Sequence, residues 1–332
     1  MPIKEINIFR RHGRQFVPDL RKAVLVDIFR GRPVISGDIT WAEANMVTGL
    51  CPVGAIRINS AVTGSDGAIT DTPVKEETPA IDNLLPRPTS VETGSKPGHP
   101  DHHPDHQVGQ QSLHQVGQQS IDQANQQRNL QRNHQGNQQV DCSIDLGKCV
   151  FCRECVFALP EKIRFTNDYK IAANVRDGLV VSAGNDHPIQ LDPAKIRKEI
   201  RSFFRHALKL RQISAAGDNS AEMELNAAGN VNFDMGRYGI EFVASPRHAD
   251  GIVITGPISQ NMAEALQICY DAVPSPKIII LSGTDAISGG IFSESKALNR
   301  EFLNRYPVDL YIPGNPPHPL TFINGILDLI GK

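Results

Sequence analysis

The sequence predicts two modules of different class: a small α+β module organised by cysteines, then a doubly wound α/β domain with a parallel sheet. Cys51, Cys149, Cys152 and Cys155 stand in a spacing that suits one metal centre. From residue 238 onward, short Val- and Ile-rich runs alternate with helical stretches. Composition also breaks sharply between about Ala61 and Val140, and 332 residues are enough for two domains.

Composition excludes several classes. Basic and acidic residues nearly balance, 34 against 36, which argues against a general nucleic-acid binder. No apolar run approaches the roughly 18–20 residues of a membrane span. Residues 1–15 are polar and basic, with no apolar signal segment, so an exported disulfide protein is not expected.

The cysteines carry the first chemistry. The run CVFCRECVFALP (149–160) follows the spacing C-x2-C-x2-C-x3-C-P, with Leu159 in the last cysteine's place. The upstream run WAEANMVTGLCP (41–52) keeps only that last cysteine, Cys51, and holds Trp41, Ala44 and Val47 where three others belong. In two-cluster ferredoxins the fourth cysteine of each run serves the other cluster. Cys51, Cys149, Cys152 and Cys155 therefore make one complete set for a 4Fe–4S cluster, while positions 41, 44, 47 and 159 have lost every thiol. The reading is a ferredoxin-like α+β module reduced to one cluster. Tetrahedral zinc and an empty vestige are the alternatives, although zinc sites usually pair two C-x2-C units. Cys142 and Cys269 fall outside the pattern and read as ordinary thiols.

In chain order, residues 1–60 hold the first half-motif and a helix expected over Pro18–Arg30, with Leu20, Val24, Leu25 and Ile28 on one face. Residues 61–140 are rich in Gln, His, Pro, Asn and Ser, and repeat HQVGQQS at 106–112 and 114–120. Such a stretch buries too little apolar surface to order its backbone, so it reads as a disordered insertion. It carries six of the eleven histidines, His102, His103 and His106 among them, as a solvated tract rather than a metal site. Loop closure grows slowly with length, so the half-motifs can still pair across it.

Residues 141–192 hold the second half-motif, with strands expected over Ile163–Thr166 and Leu179–Ser182. A basic connecting helix is expected over Pro193–Leu210, within a 193–214 linker. Lys195, Arg197, Lys198, Arg201, Arg205 and Lys209 suit anionic headgroups or a partner subunit. Residues 215–332 form the α/β domain, with strands over Ile240–Ala244, Ile252–Thr255, Lys277–Leu281 and Val308–Ile312, and helices over Gln260–Val273 and Leu320–Ile330. In such flavodoxin-like domains ligands sit beyond the carboxyl ends of the strands.

The loops after those strands read AAGDNSAEMELNAAGN (215–230), FVASPRHADGIVITGP (242–257), LSGTDAISGGIF (281–292) and PVDLYIPGNPPHP (307–319). Together they resemble the small subunit of group 4 membrane-bound nickel–iron hydrogenases of the formate hydrogenlyase type. They are also similar to the 20 kDa-type cluster subunit of respiratory complex I. The cysteine module resembles the two-cluster subunit of the same complexes, so the chain looks like a fusion of neighbouring electron-transfer subunits.

The resemblance implies cluster loops of the form C-N-x-C-E, G-x-C-A and P-G-C-P-P in the α/β domain. Those cysteine positions are Asp218, Ala221, Asp285 and Asn315 here, while Asn219, Glu222, Gly283, Ala286, Gly314 and Pro316 remain beside them. No cluster is expected there. Asp218, Asp285 and Asn315 would either converge on a hard cation or, with water, fill the space a cluster left. Arg247 and His248 suit an electrostatic or interface role, and Gly289, Gly290 and Gly314 suit tight loop turns.

The sequence shows no G-x-G-x-x-G or Walker motif and no Ser–His–Asp arrangement, so neither nucleotide binding nor a catalytic residue is expected. The resemblance implies an electron-transfer subunit of a membrane-associated oxidoreductase, not catalytic alone. Its partners would be a hydrogenase-like or quinone-site large subunit and a proton-pumping or antiporter-like membrane arm, at the cytoplasmic face of the cell membrane. The other reading is a redox-inactive docking subunit whose single cluster staples the fold.

Overall fold

A computed structural model describes residues 16–59 and 140–332, which fall in one compact unit. The insertion expected over 61–140 lies outside the described residues, apart from its final residue, Val140.

The cysteine module is built from two small antiparallel sheets and two helices. Strand β1 (Pro33–Ile35) leads to α1 (Trp41–Leu50) and β2 (Ile56–Asn59). After the insertion come β3 (Asp141–Asp145), α2 (Glu154–Ala158), β4 (Ile163–Phe165) and β5 (Val180–Ser182). β1 pairs with β4, and β3 lies between β2 and β5. Asn59 pairs with Asp141, so the two ends of the long insertion lie side by side. That register is what lets two distant half-motifs share one site.

The α/β domain continues with α3 (Lys198–Phe203), β6 (Leu208–Ser214), α4 (Ser220–Ala228), β7 (Ile240–Phe242), β8 (Gly251–Thr255) and α5 (Gln260–Ala272). It closes with β9 (Ile278–Ser282), α6 (Thr284–Ser288), α7 (Glu301–Arg305), β10 (Leu310–Ile312) and α8 (Pro319–Ile330). The five strands are parallel in the order β7-β6-β8-β9-β10. This is the flavodoxin-like order, whose switch point lies between the first and third strands, β6 and β8.

Alternation along the strands sends side chains to two cores. Ile252, Ile254, Ile279 and Leu281 face a core that also holds Ile35, Ile144, Leu146 and Leu179 of the cysteine module. Val253, Ile278, Ile280 and Leu310 face the other, with Leu225 of α4 and most of α8. One apolar core thus runs through both modules. Ala173 adds a short antiparallel bridge to Tyr311 at the sheet edge, exchanging hydrogen bonds of 3.0 and 2.8 Å.

Two expected helices are corrected. Pro18–Arg30 is a strap of turns and extended chain, not a helix. Its backbone bonds to distant groups instead: Val17 N–H donates to Asn232 O at 2.8 Å, and Leu20 O accepts from Tyr169 Oη (3.1 Å) and Asn324 Nδ2 (2.9 Å). The four apolar residues do not share a buried face, since Leu20 is fully buried while Val24 is 91% exposed.

Pro193–Leu210 is likewise not one helix. It divides into a short 3-10 turn (Pro193–Lys195), the six-residue α3 and the start of β6. Arg197 sits in extended chain with its guanidinium forked onto Asp309, both bonds 2.9 Å. Leu208 and Leu210 are fully buried as part of the inner strand β6, so sheet pairing overrides the helical pattern there.

Candidate iron-sulfur site and the adjoining crevice

Each cysteine loop is shaped by local chemistry. Thr40 caps α1 through a capping box with Glu43, and Cys51 follows directly at the helix end. Further on, Cys149 N–H bonds Asp145 O at 2.9 Å, tying the second loop to β3. Asp145 is buried and holds Arg176 through two bonds of 2.8 and 2.7 Å. Gly147 is required here, because a Cβ would come within 2.6 Å of that guanidinium. Phe151 and Arg153 take positive φ of 55° and 73°, which wraps the C-x2-C-x2-C run around a centre. Arg30 holds the wrap by donating to Phe151 O at 2.6 Å.

The result brings the four sequence-predicted ligands together. Cys51, Cys149, Cys152 and Cys155 line one cavity of about 350 Å³, closed by Val53, Ile56, Ile144 and Phe165. Backbone N–H groups point at two sulfurs, Ala55 N at Cys51 Sγ (3.2 Å) and Phe151 N at Cys149 Sγ (3.3 Å). Burial pushes the Cys149 thiol up to about 12 and Cys155 to about 11, so neither is a thiolate by itself near neutral pH. No three His, Cys, Asp or Glu among the described residues gather closely enough to hold a single metal ion. A cavity lined by four sulfurs, with N–H donors to two of them, fits an iron–sulfur cluster better than one zinc ion. Cys142 is a buried core thiol and Cys269 a half-buried one, and neither lines this cavity.

The four lost positions of the other half-motif do not form a cavity of this kind. Ala44 and Val47 are fully buried in the core, Leu159 packs against it, and Trp41 is partly exposed. Apolar side chains have closed that space.

The α/β site is different. Asp218, Ala221, Asp285 and Asn315 come together in one crevice at the carboxyl ends of β6, β8, β9 and β10. The loops after β6 and β8 touch there. Gly256 has φ of +76°, and a Cβ on it would sit 1.6 Å from Ala216 O. Only glycine allows that approach.

The crevice is polar. Asp218, at the rim, accepts from Ser220 N (3.0 Å) and Ser220 Oγ (2.6 Å), which lowers its pKa. Asp285 lies deeper, where burial and then the charge of Asp218 push its pKa up. Its Oδ1 packs over Gly290 and has no hydrogen-bond partner. Ser282, fully buried, also has an unpartnered hydroxyl. Glu222, buried as well, accepts from Thr255 Oγ1 at 2.6 Å. With no thiol among its lining residues, the crevice does not fit an iron–sulfur cluster.

Thr284, absent from the sequence-level candidates, joins the two sites. Its Oγ1 lies 2.9 Å from Cys149 O and 3.2 Å from Gly314 O. Its place in the GTDA loop marked it only as a flank. Arg247 and His248 are exposed on a 3-10 turn and line neither site.

Comparison with known proteins fits this geometry. Residues 219–329 match the family model of the NADH ubiquinone oxidoreductase 20 kDa subunit. The probable membrane-bound hydrogenase subunit mbhJ of Pyrococcus furiosus is 34% identical over 120 residues, which cover 36% of this chain and 72% of that protein. The chain belongs to this 20 kDa subunit family.

Its counterpart in the NADH-quinone oxidoreductase of Heliobacterium modesticaldum is 43% identical over 111 residues, 33% of this chain and 63% of the relative. Its counterpart in the F(420)H(2) dehydrogenase of Methanosarcina mazei is 40% identical over 110 residues, 33% of this chain and 60% of the relative. The chain thus spans less than two thirds of these two family members. In the archaeal membrane-bound sulfane sulfur reductase complex, one polypeptide aligns at 28% identity and a TM-score of 0.35, over 38% of this chain and 70% of that one. By name, 20 kDa family members are thus subunits of larger oxidoreductases, one of them a membrane-bound hydrogenase. No helix among the described residues is long and apolar enough to cross a membrane.

Proposed function

We propose that this protein is an electron-transfer subunit of a membrane-associated hydrogenase- or complex I-like oxidoreductase. It would carry one 4Fe–4S cluster in a ferredoxin-like module fused ahead of the 20 kDa-type domain. The observation that carries this reading is the single cavity lined by Cys51, Cys149, Cys152 and Cys155, drawn from two distant chain segments. When bound, the cluster supplies one-electron transfer, with its potential set by burial and hydrogen bonds to sulfur.

The chain's own residues do the rest. Ala55 and Phe151 N–H groups offset charge on two cysteine sulfurs, and Val53, Ile56, Ile144 and Phe165 keep water from the cavity. Thr284 fixes the Cys149 backbone against the α/β domain. The partners in this reading are a large subunit of hydrogenase or quinone-site type and a proton-pumping or antiporter-like membrane arm. The protein would sit peripherally at the cytoplasmic face of the cell membrane.

A second reading is favoured by one observation: the crevice in the α/β domain has no thiol to hold a following cluster. In that case the protein is a docking subunit, and its cluster is a staple that stabilises the fold. Anaerobic purification with iron and sulfide counting, then electron paramagnetic resonance during redox titration, tests both. About four irons per chain with a reversible one-electron signal supports transfer. Four irons that never cycle support the staple, and an iron-free chain removes both.

A further inference from the structure

The crevice at 218, 221, 285 and 315 has exchanged sulfur for oxygen, and the exchange leaves its charge unbalanced. Asp218, Glu222 and Asp285 line it, together with Ser282, Thr284 and Asn315, while no Lys, Arg or His is among the lining residues. Carboxylates withdrawn from water need a counter-charge or a metal. Glu222 is partly satisfied by Thr255. Asp218 is held only by Ser220, a neutral partner.

A second observation points to a ligand independently of the carboxylates. Ser282 ends β9 with no exposed surface, lines the crevice, and has a hydroxyl without a partner. Buried polar groups in native structures nearly always have one.

We infer that the crevice binds one hard divalent cation of the Mg²⁺ or Mn²⁺ class, where the family resemblance puts a 4Fe–4S cluster. Oxygen donors match such ions, as sulfur matches iron. Among the described residues no three carboxylates, histidines or cysteines converge on one point. The ion therefore takes two carboxylates, Asp218 and Asp285, with Ser282 Oγ, the Asn315 side-chain oxygen and water at the exposed rim completing its shell. That composition suits Mg²⁺ or Mn²⁺, which are bound through one or two carboxylates and retain water, better than Ca²⁺, which wants six to eight protein oxygens. The site is independent of whether the cysteine cavity carries iron.

The test is titration of the anaerobically purified full chain with Mn²⁺, following the free-ion paramagnetic resonance signal at room temperature. The expected result is one Mn²⁺ held per chain and released by Mg²⁺. Asp218→Asn, at the exposed rim, and Ser282→Ala should each weaken binding at least tenfold with iron content unchanged. A wild-type chain that leaves the Mn²⁺ signal at its buffer level overturns the proposal. Binding that is equal in wild type and both variants also overturns it, since manganese would then be held elsewhere, as by the histidine-rich insertion.

Discussion

Thr284 Oγ1 lies 2.9 Å from the carbonyl oxygen of Cys149, so a residue of the α/β crevice hydrogen-bonds the backbone of a proposed cluster ligand. The two sites are therefore adjacent across one shared core, and neither module can shift without disturbing the other.

Replacing Thr284 with Val keeps its shape and removes the hydroxyl. The expected cost is about 1–2 kcal/mol, because a largely desolvated carbonyl loses its donor. Urea unfolding should show the loss while iron content stays at the wild-type level. A shift of the cluster midpoint potential in the same variant would show that the contact reaches the redox centre.

Cys51→Ser and Cys152→Ser should each lower iron and labile sulfide well below the wild-type content. Cys142→Ala and Cys269→Ser should leave both unchanged, since neither thiol lines the cavity. Equal iron loss in all four variants would point to general unfolding and against the assigned ligands.

The Asp145–Arg176 pair holds the turn that leads into Cys149, and the Asp145 side chain is only 7% exposed. Arg176→Met leaves that carboxylate buried without its cation, which typically costs about 3–5 kcal/mol. The expected readout is a lower denaturation midpoint together with reduced iron. A variant as stable as wild type would remove the proposed role of this pair.

His318 gives a pH dependence with a definite sign. Its Nδ1 accepts from Leu320 N at 3.1 Å and caps α8, while the ring packs edge-on against Phe29 and Phe233. Burial lowers its pKa below the ordinary 6.5. Between the folded and unfolded values the unfolded chain binds the extra proton, so this contribution to stability rises with pH and is lost as pH falls from 6.5. His318→Asn keeps a capping oxygen without the titration. Its unfolding midpoint should vary less than wild type between pH 7 and pH 5.

The α/β half was legible because its periodicity is strong. The strands and helices expected after residue 238 all form, with ends shifted by a residue or two, since Val/Ile runs and an amphipathic α5 carry their own signal. The strap at 18–30 and the stretch at 193–210 were misread because their apolar spacing suits a helix, while their backbone partners lie far along the chain. Two elements were missed, the β6 strand and the α1 helix. For α1 a signal was present: Thr40 and Glu43 spell a capping box.

By itself the sequence determined which thiols remain, which cluster positions are lost and which loop residues replace them, because spacing and identity are written in the chain. Only the tertiary structure decided what the losses became. At 44, 47 and 159 apolar side chains packed into the core, and nothing polar was left to satisfy. At 218, 282 and 285 oxygen atoms face a crevice that crossing loops at the sheet's switch point keep from collapsing. Burial and hydrogen-bond satisfaction depend on what the fold brings near each atom, and no spacing rule in one sequence reports that.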